Sequence, residues 1–387
     1  MNGKSLQQQT LLEELALMLR PAGGGIFTVS TGRAEQEALQ RRIYGASDRA
    51  QVDGRWRAAL AQIPSARVLV LGVPSDCGAG LARGASFGPQ AVREALLERE
   101  PDFAAIARAE RIIDVGDVFT VPHLLHDEML SAGQISASRA ALYGGAPAGA
   151  DLPVSPLSIA EQVVSRLLAL NPQARLFLIG GDHSVSWPIV AGLAAATSEP
   201  WAIVHPDAHT DLLPERLGVK YCFATWAYHA NERLGRGGRL VQVGIRASGR
   251  PREHWESTLG VRQIWAEEIE ARGGSAAIDT VIAHLRSIGV SRVYLSNDID
   301  ATDPIAAPST GAPAPGGLSP GFVRALIARV GDAFPLLGGD IVEVAPTIGS
   351  PADAKRTTDL AACYMLETLA SMVGASGTKW RTTTLDP

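Results

Sequence analysis

Residues 175–211 are RLFLIGGDHSVSWPIVAGLAAATSEPWAIVHPDAHTD. Two short apolar runs, RLFLI at 175–179 and WAIV at 201–204, lie on either side of a longer Ala-rich segment. Acidic and histidine side chains follow each run. Short apolar runs that alternate with longer segments of this kind are typical of βα units around a parallel sheet. The stretch therefore predicts two parallel strands whose ends carry polar side chains.

The same alternation continues on both sides of this stretch and predicts one doubly wound α/β domain. The predicted strands are Arg67–Val73, Arg111–Val115, Arg175–Ile179, Trp201–Val204, Arg239–Val243, Arg292–Ser296 and Gly339–Val344. The helices predicted between them include Pro89–Glu98, Ser158–Leu170, Ile278–Ile288, Pro320–Val330 and Thr358–Val373. Residues 130–155 are rich in Ala, Gly and Ser, so we interpret them as a long surface insertion.

Residues 1–64 lack this alternation and are predicted to form an N-terminal arm, followed by the main domain at 65–387. Apolar side chains between residues 11 and 19 recur at helical spacing, which predicts a short amphipathic helix within the arm. Two interpretations of the arm stay open. It is either a surface extension or a segment that packs on a neighbouring subunit.

The bulk composition favours a compact protein that acts on a small molecule. A formal net charge of -5 argues against a nucleic-acid partner, because such proteins usually carry a basic excess. No apolar stretch approaches the roughly 20 residues of a membrane span, and the N-terminus does not have the form of an export signal. The 3 cysteines are widely separated, which fits a reducing cytoplasm better than a disulfide framework. We therefore expect a cytoplasmic protein with no membrane partner.

Carboxylates and histidines cluster directly after three of the predicted strands. Ligands of parallel sheets gather beyond the carboxyl ends of the strands, and alternate side chains of an extended segment share a face. Both conditions hold for Asp207, His209 and Asp211 and for Asp298 and Asp300, and His183 follows the end of a third strand. Each motif alone also fits a helix cap or a turn. Together they exceed what one tetrahedral zinc needs and favour two divalent cations.

Three motifs carry a resemblance to a known family. GGDHS at 180–184, DAHTD at 207–211 and SNDIDATDPIAAPSTGAPAPGGLS at 296–319 resemble the signature motifs of the ureohydrolases, which include arginases, agmatinases, guanidinobutyrases and guanidine hydrolases. The resemblance covers roughly residues 66–375. It implies a three-layer α/β/α fold with a mainly parallel eight-stranded sheet, and residues 65–387 as the catalytic domain. It also implies a homotrimer or homohexamer that hydrolyses a small guanidino substrate and releases urea.

Carried over position by position, the resemblance implies a full set of site residues. The metal ligands would be the six side chains named above, and they would hold two divalent ions, with Mn(II) favoured and Ni(II) plausible. Glu343 would bind the guanidinium group, since a planar cation with several N–H donors suits a bidentate carboxylate. We expect Asp211 to pass a proton to the departing nitrogen, which makes Asp211 and Glu343 the expected catalytic residues.

The sequence departs from the family pattern around residues 212–229. Leu212 and Leu213 stand where arginases carry a polar loop that grips the amino and carboxyl groups of arginine. We therefore expect a guanidine with a short, neutral or absent tail. Phe223 stands where many relatives have a proton-shuttling histidine, so the shuttle is either dispensable or replaced by His229. Phe223 and Trp226 are expected to contact substrate, with aromatic core packing as the alternative.

Other functions remain open from the sequence. One is an agmatinase or guanidinobutyrase activity. Another is a catalytically idle regulatory subunit of a ureohydrolase complex, which the missing histidine makes worth considering. A third is a single-zinc deacetylase on a related fold, which needs only two Asp and one His around one ion. The complete ligand set argues against the idle subunit, and two metal ions per chain would exclude the deacetylase.

Overall fold

A computed structural model gives the structure of residues 3–28, 31–80, 82–144, 146 and 149–374. Within these residues one sheet has nine strands in the order β1-β3-β2-β4-β9-β8-β5-β6-β7. The strands are β1 Leu19–Arg20, β2 Val68–Val73, β3 Ile112–Val118, β4 Arg175–Gly180, β5 Trp201–Pro206, β6 Leu240–Ile245, β7 Arg262–Trp265, β8 Arg292–Asp298 and β9 Leu336–Val342. All neighbours are parallel except β1 and β3.

The helices of the described chain flank this sheet. They are α1 Gly3–Met18, α2 Arg33–Tyr44, α3 Arg49–Leu60, α4 Gly88–Arg99, α5 Phe103–Glu110, α6 Ala132–Tyr143, α7 Pro156–Leu170, α8 Ser186–Ala196, α9 Trp226–Leu234, α10 Arg252–Leu259, α11 Ala266–Arg272, α12 Gly274–Ser287, α13 Pro320–Ala333 and α14 Pro351–Met372. Each predicted strand and helix overlaps one of these elements.

Alternate side chains of the strands divide the core into two apolar layers. Phe177 and Ile179 belong to a cluster with α4, α12, α13 and α14, whereas Leu176 and Leu178 belong to a second cluster with α1, α3, α7, α8 and α9. Successive side chains of a strand point to opposite faces, so the two clusters lie on opposite faces of the sheet. The predicted three-layer α/β/α architecture is confirmed.

The sheet differs from the expected eight strands by one short antiparallel strand. Strand β1 pairs Leu19 with Val118 and Arg20 with Asp117 at the sheet edge. Two residues are too few for any hydrophobic period, so the sequence pattern could not predict it. Strand β7 was also missed because its buried centre is polar: Gln263 is fully buried and donates a 2.8 Å hydrogen bond to Gln242.

The N-terminal segment packs against the sheet of its own chain. Leu15 and Met18 are fully buried in the same cluster as the strand residue Leu69. The indole of Trp56 donates a 2.9 Å hydrogen bond to the Val115 carbonyl, and Asp117 accepts one of 2.7 Å from the Gly23 amide. The segment is thus a folded part of this chain. Packing on a neighbouring subunit and the boundary at residue 64 stay predictions.

The stretch 130–155 holds a helix that its composition does not suggest. Ser131 caps α6, and the side chains of Ser131 and Gln134 form a reciprocal capping box. Most of α6 is exposed, in keeping with a surface insertion. The Ala, Gly and Ser content hides any apolar period, but the S-x-x-Q spacing at the start was a usable signal.

Candidate metal centre

Four adjacent strands bring the predicted site residues to one edge of the sheet. Strands β4, β9, β8 and β5 are neighbours in that order. His183 follows β4, Glu343 follows β9, Asp298 ends β8 with Asp300 two residues on, and the DAHTD segment follows β5. The carboxyl ends of parallel strands lie together, so residues separated by up to 160 positions along the chain come into contact.

His183 lies at the centre of one half of this cluster. Its Nδ1 atom is 3.0 Å from Asp298 Oδ2, 3.3 Å from Asp207 Oδ2 and 3.5 Å from Asp211 Oδ2. All four side chains are buried. One imidazole nitrogen therefore faces three carboxylates inside the protein, an arrangement whose negative charge a metal ion would offset.

His209 forms the other half of the cluster. Its Nδ1 atom is 3.0 Å from Asp300 Oδ2 and 3.6 Å from Asp207 Oδ1. Among the described residues, two groups have ligand atoms within 4.8 Å of one another: His183, His205, Asp207 and Asp211, and then Asp207, His209 and Asp300. Asp207 belongs to both groups. A carboxylate with one oxygen turned to each group is suited to bridge two ions.

His205 is fully buried beside the cluster. Its Nε2 atom is 2.7 Å from Asp207 Oδ2, and its Nδ1 atom is 3.1 Å from Nε2 of Gln242. The Gln242 amide nitrogen can only donate, so His205 Nδ1 accepts and its Nε2 carries the proton towards Asp207. His205 therefore orients Asp207 rather than offering a free nitrogen to a metal. Its position two residues before Asp207 on β5 was the available signal.

The pKa values in the protein without metal show how strongly these groups interact. Burial and the neighbouring carboxylates raise the pKa of Asp298 and of Asp211 well above the usual value. Burial acts against protonation of His209, but its hydrogen bonds with Asp207 and Asp300 raise the pKa to about 12. Hydrogen bonds with Asp207 and Asp298 likewise outweigh burial and raise the pKa of His183. The metal-free site therefore holds protons in place of cations.

This donor set fits two divalent cations. Four carboxylates buried around two imidazoles repel one another in a medium of low dielectric constant, and protonated imidazoles offset only part of that charge. Carboxylate oxygen and imidazole nitrogen are donors that both Mn(II) and Ni(II) accept. His183, Asp207, His209, Asp211, Asp298 and Asp300 would hold the ions.

A cavity of about 280 Å³ opens directly onto these carboxylates. Its lining includes His209, Asp211, Asp298, Asp300 and Glu343. Glu343 Oε1 accepts a 2.9 Å hydrogen bond from the His183 amide, and burial followed by the charge of Asp182 raises the Glu343 pKa well above its usual value. A buried carboxylate that faces the cavity beside the candidate ligands is arranged to hold a cationic group there.

Asp211 and Glu343 also share an unusual backbone conformation. Their φ angles are 52° and 60°, in the left-handed region that residues other than glycine rarely adopt. Such strain persists only where the surrounding structure enforces it, and it is concentrated at functional sites. Nothing in the residue types predicts it. It supports a special role for these two carboxylates.

The structure separates the three aromatic and histidine candidates of the 223–229 segment. Phe223 lines the cavity. Trp226 is fully buried behind the cluster, where its ring stacks on His183 with centroids 4.4 Å apart. His229 does not line the cavity, and its Nε2 atom is 3.0 Å from the Lys220 carbonyl. The expected substrate contact of Trp226 and shuttle role of His229 therefore do not match their positions, because α9 turns both away from the cavity.

Comparison with known proteins identifies the family. The family model of the arginase family matches residues 66–371. The chain belongs to the arginase family. Proclavaminate amidinohydrolase of Streptomyces clavuligerus is 33% identical over 291 residues, 72% of this chain and 80% of that protein. Its solved structure matches with a TM-score of 0.62 at 29% identity, covering 80% of this chain and 93% of the other.

Two further relatives act on guanidino compounds according to their names. An agmatinase of Chromobacterium violaceum is 30% identical over 311 residues, 77% of this chain and 81% of that protein. A guanidinobutyrase of Pseudomonas aeruginosa is 30% identical over 312 residues, 79% of this chain and 86% of that protein. The expected ureohydrolase family and hydrolase class are confirmed. Within the described residues, no helix of this arginase-family chain is both long and apolar enough to span a bilayer.

Proposed function

We propose that this chain hydrolyses a small guanidine with a short neutral or absent tail and releases urea, using two divalent cations. The observation that carries the proposal is the shared cavity: Glu343, Asp211 and Asp300 line the same space of about 280 Å³. A guanidinium group held by Glu343 would present its central carbon to the aspartate cluster. Arginine is a poor candidate for this cavity.

The metal ions, when bound, would lower the pKa of a water so that hydroxide forms near neutral pH. Glu343 accepts N–H groups of the guanidinium with its two oxygens, which fixes the plane of the substrate and the direction of attack. Asp211 takes the proton of the attacking water at Oδ1 or Oδ2 and gives it to the departing nitrogen. Trp226 limits the motion of Asp211, since its indole donates to Oδ2 over 3.0 Å.

The residues beyond the cluster support a substrate without a charged amino-acid tail. Leu212 is buried in the core, and Leu213 lines a neighbouring cavity of about 390 Å³. Neither side chain can pair with an amino or carboxyl group. Phe223 lines the same cavity and places an aromatic ring, rather than a charged group, beside the proposed guanidinium site.

Manganese is our first choice of metal and nickel the second. The four carboxylates suit Mn(II), whereas the two imidazoles allow Ni(II), which binds more tightly when both are supplied. We also propose that the chain acts as a homotrimer or homohexamer. An agmatinase- or guanidinobutyrase-type activity is the alternative that the relatives support.

The test is a substrate screen with defined metal loading. The purified protein is stripped of metal, reloaded with Mn(II) or Ni(II), and assayed for urea release from guanidine, methylguanidine, 4-guanidinobutyrate, agmatine and arginine. We expect about two ions per chain, and the highest kcat/KM for guanidine or methylguanidine. Preference for arginine would contradict the proposed tail. Failure to release urea from every compound at full metal occupancy would overturn the function.

A further inference from the structure

A tight turn places an arginine at the mouth of the metal cavity. Residues 216–219 form a two-residue hairpin, in which Arg216 and Val219 exchange two backbone hydrogen bonds of 2.9 Å. Leu217 and Gly218 have φ angles of 52° and 80°, which is the pattern of a type I′ turn. The turn fixes the backbone of Arg216 beside the cavity.

The Arg216 side chain is held over an aromatic ring of the same cavity. Its Cζ atom is 5.0 Å from the centroid of the Phe223 ring, and both residues line the metal cavity. The Phe223 amide donates a 3.1 Å hydrogen bond to Gly78, and a Cβ atom at Gly80 would come within 3.3 Å of the ring. A side chain at position 80 would therefore crowd the ring over which the guanidinium lies.

Arg216 and Phe223 also line the two cavities that adjoin the metal cavity. These measure about 560 Å³ and 390 Å³, and they add Arg83 and Arg250 to the surroundings of the mouth. Of the described residues that line the three cavities, the acidic ones are confined to the floor: Asp211, Asp298, Asp300 and Glu343. The floor of the metal cavity therefore carries negatively charged side chains, and the surroundings of its mouth carry positively charged ones.

We propose that Arg216 makes the site select against guanidines whose tail carries a second positive charge. This selectivity rests on the proposed function. A substrate uses its guanidinium charge at Glu343, and a tail of several carbons leads from there through the mouth past Arg216. An ammonium at the end of that tail is repelled by Arg216, a neutral tail is not, and a carboxylate is attracted. Glu215, the exposed chain neighbour of Arg216, lines none of the three cavities.

The experiment compares tails of similar length and opposite charge. Urea release is measured as kcat/KM for agmatine and 4-guanidinobutyrate, each divided by the value for guanidine, in the metal-loaded full chain and in Arg216→Gln. We expect the agmatine to 4-guanidinobutyrate ratio to rise about tenfold in the variant, because the repulsion of the ammonium and the attraction of the carboxylate are both lost. Arg216→Glu should raise the ratio further.

The matched control is Arg42→Gln, which removes the same charge from exposed α2, away from the three cavities. An unchanged ratio in Arg216→Gln, or an equal rise in Arg42→Gln, would overturn the proposal. The ratio of the unaltered enzyme should also rise with added salt, and a ratio independent of salt would count against it as well. If the unaltered enzyme released no urea from any of the three compounds, the proposed function itself would fail.

Discussion

The indole Nε1 of Trp226 donates a hydrogen bond to Oδ2 of Asp211 over 3.0 Å, while the same ring stacks on His183. One side chain thus contacts two of the candidate metal ligands from the side opposite the cavity. Supporting residues of this kind orient ligands and typically change metal affinity by 10- to 100-fold. Trp226 acts on the site through Asp211 and His183 rather than through substrate.

Trp226→Phe removes the indole donor and keeps an aromatic ring. We expect metal affinity to fall about tenfold, with a corresponding loss of kcat/KM at limiting metal and recovery at saturating metal. Metal content by mass spectrometry and urea release at several metal concentrations measure this.

Trp56→Phe is the control, since it removes a buried 2.9 Å indole hydrogen bond to Val115 far from the site. It should cost about 1 to 3 kcal/mol of unfolding free energy and leave metal affinity unchanged. Equal metal loss in both variants would refute the supporting role.

A second prediction concerns the proton on His205. Gln242 donates to His205 Nδ1 over 3.1 Å, which leaves the proton on Nε2 facing Asp207. Gln242→Glu replaces this donor with an acceptor that competes with Asp207 for the His205 proton, so the hydrogen bond to Asp207 should weaken. We expect metal affinity to fall by about tenfold or more, measured by competition with a chelating dye. Gln173→Glu, the same change at an exposed position, should have no effect. Unaltered affinity in Gln242→Glu would mean that His205 does not orient Asp207.

The sequence predicted the fold well wherever strands are apolar. Strands such as Arg175–Gly180 and Trp201–Pro206 are buried on both faces by helices, so their apolar runs are unmistakable. Strand β7 was missed because Gln263 in its centre is stabilised by hydrogen bonds with Gln242 and Trp265, and not by apolar packing. Because this buried position is polar, the sequence of β7 shows no pattern of apolar residues from which a strand could be predicted.

The ends of the predicted strands were enough to predict which residues form the site. The direction in which each side chain points could not be predicted. His183, Asp207 and Asp300 converge as their strand ends predict. The face of α9 that contacts the cluster depends on how the loop at 212–225 folds. The loop has no periodic pattern of apolar residues, so its fold could not be predicted from the sequence. Phe223 therefore faces the cavity, while Trp226 supports it from behind. The left-handed backbone at Glu343 is likewise a property of the fold around it.

Metal loading should release protons. Without metal, the pKa of His209 is raised to about 12 and that of His183 is also raised, so both imidazoles are protonated near pH 7. A metal ion binds the neutral form of an imidazole ring and must therefore displace the extra proton from each histidine. Metal affinity should consequently increase with pH. In the metal-free protein the His209 contact stabilises the fold fully below roughly pH 6.5 and is lost as pH rises towards 12.

Calorimetric titration with Mn(II) in buffers of different ionisation enthalpy measures the released protons. We expect at least one proton per chain at pH 7 and still at pH 10, because the pKa of about 12 keeps His209 protonated at both. His254→Asn is a control, because His254 lies outside the two ligand groups and should leave the proton count unaltered. A heat of binding that is the same in every buffer would show that the imidazoles are already neutral before the metal binds.

The last prediction separates substrate binding from metal binding. Glu343→Gln keeps the shape of the side chain that lines the cavity but removes the charge that would hold a guanidinium. We expect kcat/KM to fall by about 100-fold or more while metal content stays near two ions per chain, because an oriented charge is lost and no ligand is removed. Asp207→Ala is the opposite case: Asp207 belongs to both ligand groups, so metal content and urea release should disappear together. Full activity in Asp207→Ala would refute the ligand assignment, and loss of metal in Glu343→Gln would show that this carboxylate holds the ions rather than the substrate.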